Sequence, residues 1–393
     1  MANEPDNTAQ TPPSAAPGPA NPSVPEGAGA STAKRYERLK LWLHLGELAF
    51  VVAALAVFYF AGGSRLLAAF ARQLGHNEWG TVAVYVVAML AGGSLLTLPW
   101  SYFGGFHLEH RFNLSNQTLA GWIWDEVKGF ALTLVFMGVV AEAVYALLRA
   151  TGAWWWAWTA AFMTAFSLLL NFILPVVIIP IFYKLTKLED ESLAAKLSAM
   201  AGQVGARVVG VFRIALGEKT KKANAAFAGF GRTRRILLGD TLLANFSAPE
   251  IELVLAHELA HFHFHDIWKN MVIGAALTAG GLWASDLWLR AMVGGDLANI
   301  EHLPLLALGM MMFGLITSPL TRAWSRRAEY RADWFALEMT RDAAVFESAM
   351  RKLAGQNLAD MEPHPVVEFL FHDHPALSKR IAKASEWRQT LGK

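Results

Sequence analysis

His257-Glu258-Leu259-Ala260-His261 sets two imidazoles and a carboxylate within five consecutive positions. On a helix, His257 and His261 stand one turn apart on the same face and can grip a single metal ion, while Glu258 points toward water bound to that ion. The helix has its own start signal. Ser247, with Glu250 three places on, forms a capping box, and Pro249 falls in the first turn, where its missing N–H costs nothing. The predicted helix runs through this segment toward a long apolar stretch, with only a short polar interval between.

The surrounding chain is not that of a soluble globule. Of its 393 residues 54% are hydrophobic and only 17% charged, with 15 Trp, which reads as a membrane protein. Six segments reach the roughly 20 residues needed to cross a hydrocarbon core as helix: approximately 41–62, 81–103, 130–149, 153–182, 271–289 and 303–320. The fourth would be about 45 Å long, so it is expected to bend near Pro175 and Pro180 and to leave the bilayer. Trp154, Trp155, Trp156 and Trp158 open that segment and read as an interfacial belt.

Residues 1–33 are Pro-rich and poorly hydrophobic and read as a disordered tail, with no cleaved secretory signal expected. The predicted organisation is therefore a tail (1–33), an N-terminal membrane domain with four spans (34–183), and a domain at 184–393 that includes the spans at about 271–289 and 303–320.

Net charge of +2 without a run of like charges gives no footprint for nucleic acid. With no cysteine, disulfides and thiolate ligands are excluded, leaving His, Asp and Glu to hold a metal. Lys34, Arg35, Arg38 and Lys40 precede the first span, and Lys184, Lys187, Arg322, Arg326 and Arg327 flank later ones on the same side by parity. Arg65, Arg72, Arg149 and Arg290 are the basic residues of the opposite loops. The positive-inside rule then puts 184–270 in the cytosol. Within it, Arg207 to Leu216 reads as a strand and Asn224 to Leu238 as a Gly-punctuated extended segment.

Catalytic zinc takes three protein ligands and keeps a fourth position open, so two histidines do not suffice. A third His six places after His261 is ruled out, because Ile267 stands there and Phe264 occupies the accompanying glycine position. The best remaining candidate is Glu329, in Ser-Arg-Arg-Ala-Glu-Tyr-Arg-Ala-Asp (325–333). Asp333 lies one turn further along and is placed to orient a ligand histidine through its other ring nitrogen. Two apolar spans separate His261 from Glu329, an even number, so both end on one membrane face. His263 and His265 are read as non-ligands, since one helix cannot wrap three successive turns around a tetrahedral ion.

Over roughly 41–385 the chain resembles the type I CAAX prenyl protease family of integral-membrane gluzincin metallopeptidases. The resemblance is carried by Leu98-Pro99-Trp100-Ser101, by Glu109-His110-Arg111-Phe112-Asn113 with Asn116-Gln117-Thr118, and by Asn224-Ala225-Ala226-Phe227 with Arg235 to Leu242. HELAH, Glu329 to Asp333 and His374-Pro375-Ala376-Leu377-Ser378-Lys379-Arg380 complete it. It implies a mainly α fold, a polytopic helical bundle enclosing a chamber, with a gluzincin-like zinc protease domain containing a small β-sheet. It further implies that Asn224 and Ala225 belong to a strand that pairs with substrate, and that His374 and Arg380 lie near the scissile carbonyl. Ala260 and Asp266 stand where the family more often has Gly and His, and eukaryotic members carry one further N-terminal span.

The reading is a zinc-dependent membrane endopeptidase with one Zn2+ per chain on His257, His261 and Glu329, and Glu258 as the base. Peptides or membrane proteins are the expected substrates and the lipid bilayer a partner; the expected location is a bacterial plasma membrane, or the ER membrane in a eukaryote, with the catalytic domain cytosolic. A quality-control protease of the heat-shock type is the alternative within the same chemistry. A non-hydrolytic zinc-binding receptor or transporter is a further one, opposed by the intact Glu258.

Overall fold

The computed structural model describes residues 26–391, so the predicted tail up to residue 25 lies outside the described residues. Residues 26–33, assigned to the tail on composition, are instead the first turns of a helix. Ala30 and Ala33 there are good helix formers, and Ala33 is buried, as is Tyr36 one turn on.

Helix α1 (Glu26–Phe60) leads through α2 (Gly63–Gly75) to α3 (Glu78–Ser101), which passes through a π-helical turn (Tyr102–His107) into α4 (Leu108–Arg111). Then come α5 (Leu119–Thr151) and α6 (Trp155–Ile173), the latter continuing through a second π-helical turn (Leu174–Ile178) into α7 (Ile179–Phe182). The bend expected in the fourth span falls on this turn. Pro175 and Pro180 each remove a ladder N–H, and the wider π turn accommodates the mismatch.

Among the described residues, five helical stretches are long and apolar enough to cross a membrane. One of them, Leu119–Phe182, has 64 residues, about 96 Å as a straight helix and some three times a hydrocarbon core. It breaks at Gly152, whose φ of +54° suits a residue without Cβ, and α5 and α6 pack against each other. With α5 and α6 counted apart, the described residues hold six long apolar helices, which overlap the six apolar segments. The spans bury little of themselves: none of the most apolar window of α1 is buried. Trp155 departs from the interfacial-belt reading. It is fully buried and donates its Nε1 proton to Asp286 at 2.6 Å, whereas Trp154 and Trp158 stay exposed.

The C-terminal part opens with β1 (Leu185–Lys187), α8 (Glu191–Gln203), β2 (Val211–Ile214), β3 (Ala225–Ala228), β4 (Arg235–Gly239) and α9 (Asp240–Asn245). Helices α10 (Ala248–His263), α11 (Asp266–Met292), α12 (Leu303–Thr340), α13 (Ala343–Asn357), α14 (Pro365–Phe371) and α15 (Leu377–Leu391) follow. The sheet order is β1-β2-β4-β3, with β2 parallel to β4 and the outer strands antiparallel, so β3 is an edge. The extended segment 224–238 is thus two strands folded back through Gly229 and Gly231, both at positive φ. Strand β1 had no signal in the sequence because three residues carry no period.

Leu197, Ile236, Leu238, Leu242, Leu253 and Leu255 are among the side chains of the core between sheet and helices. Each contributes about 1.5–3 kcal/mol by leaving water. That core fixes the inner face of α10 and leaves the other face to the site.

Candidate metal centre

Along α10, Ile251, Leu255 and Leu259 repeat at intervals of four and are buried, whereas His257, Glu258 and His261 are half-buried on the opposite flank. The capping box read from the sequence is formed: the Ser247 N–H donates to Glu250 Oε2 at 2.7 Å, and Lys352 and Ser348 also donate to this carboxylate. Helix α12 packs on α10, and both present buried alanines, Ala256 and Ala260 on one and Ala328, Ala332 and Ala336 on the other. Small side chains let two helices approach closely. This brings Glu329 and Asp333, one turn apart on α12, beneath the two histidines.

His257 Nε2 lies 3.2 Å from Glu329 Oε2, and His261 Nε2 lies 3.4 Å from Glu329 Oε1. The opposite ring nitrogens are both taken: His257 Nδ1 is 3.0 Å from Asp333 Oδ1, and His261 Nδ1 is 3.0 Å from Asp266 Oδ2. Each Nδ1 thus donates to a carboxylate, which leaves each Nε2, facing Glu329, as the nitrogen a metal ion would take in place of its proton. The three ligand atoms lie within 4.8 Å of one another. Glu329 Oε2 is buried and has no hydrogen-bond partner. Bonds of 2.0–2.2 Å at a tetrahedral ion put its ligand atoms about 3.4 Å apart, close to the 3.2 and 3.4 Å that separate the two histidine nitrogens from the Glu329 oxygens. Donor chemistry, spacing and an orphaned carboxylate oxygen all fit a divalent cation.

Electrostatics point the same way. Burial pulls His257 down, but the carboxylates of Asp333 and Glu329 outweigh it and hold the ring up at about 9. His261 is likewise depressed by burial and raised on balance by Glu329 and Asp266. Excess negative charge around two imidazoles is the field a cation would enter.

Asp266 was not read as functional from the sequence, because five positions from His261 is not a helical repeat. The chain turns there, His265 taking φ +58°, and returns the Asp266 carboxylate to the ring. Arg331 and Lys269 hold Asp266 in turn. His263 stacks on Phe335, 4.9 Å between ring centres, and His265 caps α11. Neither joins the ligand cluster.

Arg380 is buried and gives two hydrogen bonds to Asp333, with Nε at 2.8 Å from Oδ2. Its guanidinium is therefore committed to the carboxylate behind His257. His374 is brought to the cluster by the segment before α15, with Nε2 3.5 Å from Glu329 Oε2. Arg326 on α12 fixes that segment by donating to the carbonyls of Glu368 and His372, and Glu368 accepts the Ala376 N–H at 3.1 Å. Asn224 has an exposed side chain, and its carbonyl accepts the Gly239 N–H, so the free edge begins at Ala225. A cavity of 1130 Å³ opens between α1 and the 357–377 segment and reaches His374 and Arg380.

Comparison with known proteins agrees with this arrangement. Residues 23–184 match the family model described as CAAX prenyl protease N-terminal, five membrane helices, and residues 187–388 match peptidase family M48. The chain is 27% identical over 315 residues to the uncharacterized metalloprotease YhfN of Bacillus subtilis, covering 77% of this chain and 72% of that one. It is 30% identical to CAAX prenyl protease 1 of Saccharomyces cerevisiae, covering 73% and 68%. Its fold is similar to the crystal structure of S. mikatae Ste24p, with a TM-score of 0.79, 22% identity, and 91% and 88% of the chains covered.

Proposed function

We propose, from the premise that this chain belongs to peptidase family M48, that it hydrolyses extended peptides with zinc held by His257, His261 and Glu329. The chain is a multi-pass membrane metalloendopeptidase of the CAAX prenyl protease type, with a metal cofactor and peptide substrates. One observation carries the reading further: both Nε2 atoms converge on a single carboxylate while both Nδ1 atoms are pinned from behind. Two imidazoles and one carboxylate with an open fourth position are a donor set suited to zinc.

When bound, the ion supplies a Lewis acid and lowers the pKa of the water it holds toward about 7. Glu258, next to His257 on α10, is the group that would take a proton from the attacking water and pass it to the leaving amine, a general-base route that would need no covalent intermediate. His374 is placed to donate from Nε2 to the carbonyl oxygen as negative charge develops there. Asp333, held by Arg380, and Asp266, held by Arg331, keep the two rings turned so that Nε2 faces inward. Because Asn224 O bonds to β4, antiparallel alternation leaves the N–H and C=O of Ala225 and Phe227 facing the open edge. An extended substrate adds there as a further strand, gaining affinity from main-chain bonds with little demand on side chains.

The catalytic side is cytosolic and the membrane a bacterial plasma membrane in this reading. The test is cleavage of a defined peptide by purified protein in detergent. A chelator should abolish turnover and zinc at one equivalent should restore it; turnover that survives chelation, with elemental analysis showing no ion, would remove the proposal. A single cut near a carboxyl terminus marks processing, and many dispersed cuts mark the quality-control alternative. The chain has no cysteine, so single cysteines at Arg65 and Ser385 can be probed with an impermeant maleimide. Labelling of Ser385→Cys from outside intact cells would reverse the orientation.

A further inference from the structure

The motif Glu109-His110-Arg111-Phe112-Asn113, with Asn116-Gln117, takes no part in the chemistry above, yet much of its hydrogen bonding is directed at one short segment of the protease domain. Residues 217–222 run directly into β3. Lys222 donates to Glu109 at 2.8 Å and to the Tyr36 hydroxyl at 2.9 Å, and Tyr36 in turn donates to Glu109. Tyr36 is fully buried, and Glu109 and Lys222 are mostly so. The Lys221 N–H donates to Leu114 O at 2.8 Å and the Asn116 N–H to Lys219 O at 3.0 Å, forming the bridge of Ser115 with Thr220. Asn116 Nδ2 donates to Gly217 O at 2.8 Å, and Asp125 accepts from Lys219 and Gln117. Three elements of the membrane domain, the cytosolic ends of α1 and α4 and the start of α5, thus grip the lead-in to the edge strand.

We propose that Tyr36, Glu109 and Lys222, with the 113–117 segment, form a bracket through which the membrane domain positions β3 and so selects which peptide bond of the substrate meets the metal cradle. This rests on the reading of β3 as the substrate strand. Strand β3 has four residues and is paired on one side only, so its ladder is short. Lys222 lies three residues before Ala225, no more than about 11 Å of chain, too short to absorb a displacement of the anchor. A strand rises about 3.3 Å per residue, and a slip by one residue turns every side chain to the other face. Loosening the bracket by that amount therefore moves the cut to a neighbouring bond instead of only slowing it. Tyr36, Glu109 and Lys222 are positioning residues, not groups that touch the reacting atoms.

The experiment maps products of one defined peptide by mass spectrometry for wild type, Tyr36→Phe, Lys222→Met, Lys222→Arg and Ala225→Pro, with metal content and thermal midpoint measured on each full-length protein. The expected result for Tyr36→Phe and Lys222→Met is new cuts at adjacent bonds and a fall of about fivefold or more in kcat/KM for the principal bond, with metal content unchanged. Lys222→Arg, which keeps the charge, should restore the principal cut. Tyr36→Phe removes a single hydroxyl and decides the matter should Lys222→Met not fold. A wild-type cutting pattern in folded Tyr36→Phe and Lys222→Met, whatever their thermal midpoints, overturns the bracket while Ala225→Pro is still impaired. If Ala225→Pro is itself unimpaired, the strand reading falls and takes the bracket with it.

Discussion

The metal cradle and the sheet edge both adjoin α10 but are held in opposite ways. The cradle is a nest of charges between two helices far apart in the chain, each ligand ring backed by a carboxylate and each carboxylate by an arginine. The edge is a four-residue strand steadied by backbone hydrogen bonds and one buried triad reaching in from the membrane domain. Buried charges tolerate no displacement without large cost, so the cradle is rigid. A half-paired strand is adjustable by comparison. The consequence is a division of labour, in which the cradle sets whether a bond breaks and the edge sets which bond it is.

The sharpest way to break this division is Glu258→Gln. It should lower kcat roughly 10³-fold with metal stoichiometry and cut position unaltered; retained turnover would take the base role from Glu258. The two halves of the cradle come next. Asp333→Asn and Asp266→Asn should each weaken metal affinity about 10–100-fold in competition with a chromogenic chelator. They should differ in stability. Asp333 and its partner Arg380 are both buried, so its loss strands a charge at about 3–5 kcal/mol. Arg331 and Lys269 behind Asp266 reach solvent and can rehydrate. Equal thermal shifts in the two variants would contradict that asymmetry.

A pH series tests the same field with the sign fixed in advance. In the metal-free protein His257 is held up at about 9 against an ordinary 6.5. Its protonated contacts therefore stabilise the fold fully below 6.5, and this contribution is lost as pH rises through about 9. Binding a metal must expel that proton, so apparent affinity should climb up to about tenfold per pH unit until 9 and then level off. A flat profile between pH 6 and 8 would mean the rings are not the ligands. The smallest effect belongs to the edge. Ala225→Pro deletes one outward N–H without touching the inner ladder, as an edge strand permits, and should cost about fivefold in kcat/KM. An equal loss with a substrate too short to pair as a strand would argue against the edge role.

Much of the cradle was legible because it obeys helical periodicity. His257 and His261, and Glu329 and Asp333, are each one turn apart, and the capping box fixed where the helix of the first pair starts. The six spans were legible from length and hydropathy alone, since a bilayer imposes both. Asp266 escaped because its approach to His261 depends on a left-handed residue between two helices, and Arg331 escaped with it. Helical residues 26–33 were misread from composition, and Trp155 was read as interfacial although it seats its indole N–H on Asp286. For Trp155 the deciding partner is remote in sequence.

What the residues by themselves determined is the class of chemistry and the long apolar helices, because metal ligation and bilayer passage demand particular side chains at particular short-range intervals. What only the tertiary structure decided is how those parts face one another: which carboxylate backs which ring, that Arg380 is spent on Asp333, and that the membrane domain grips the approach to β3. Apart from Asp266 behind His261, five residues on across a turn, such pairings join positions tens to more than a hundred residues apart. They are fixed by packing and charge compensation in the folded protein, and no local periodicity encodes them.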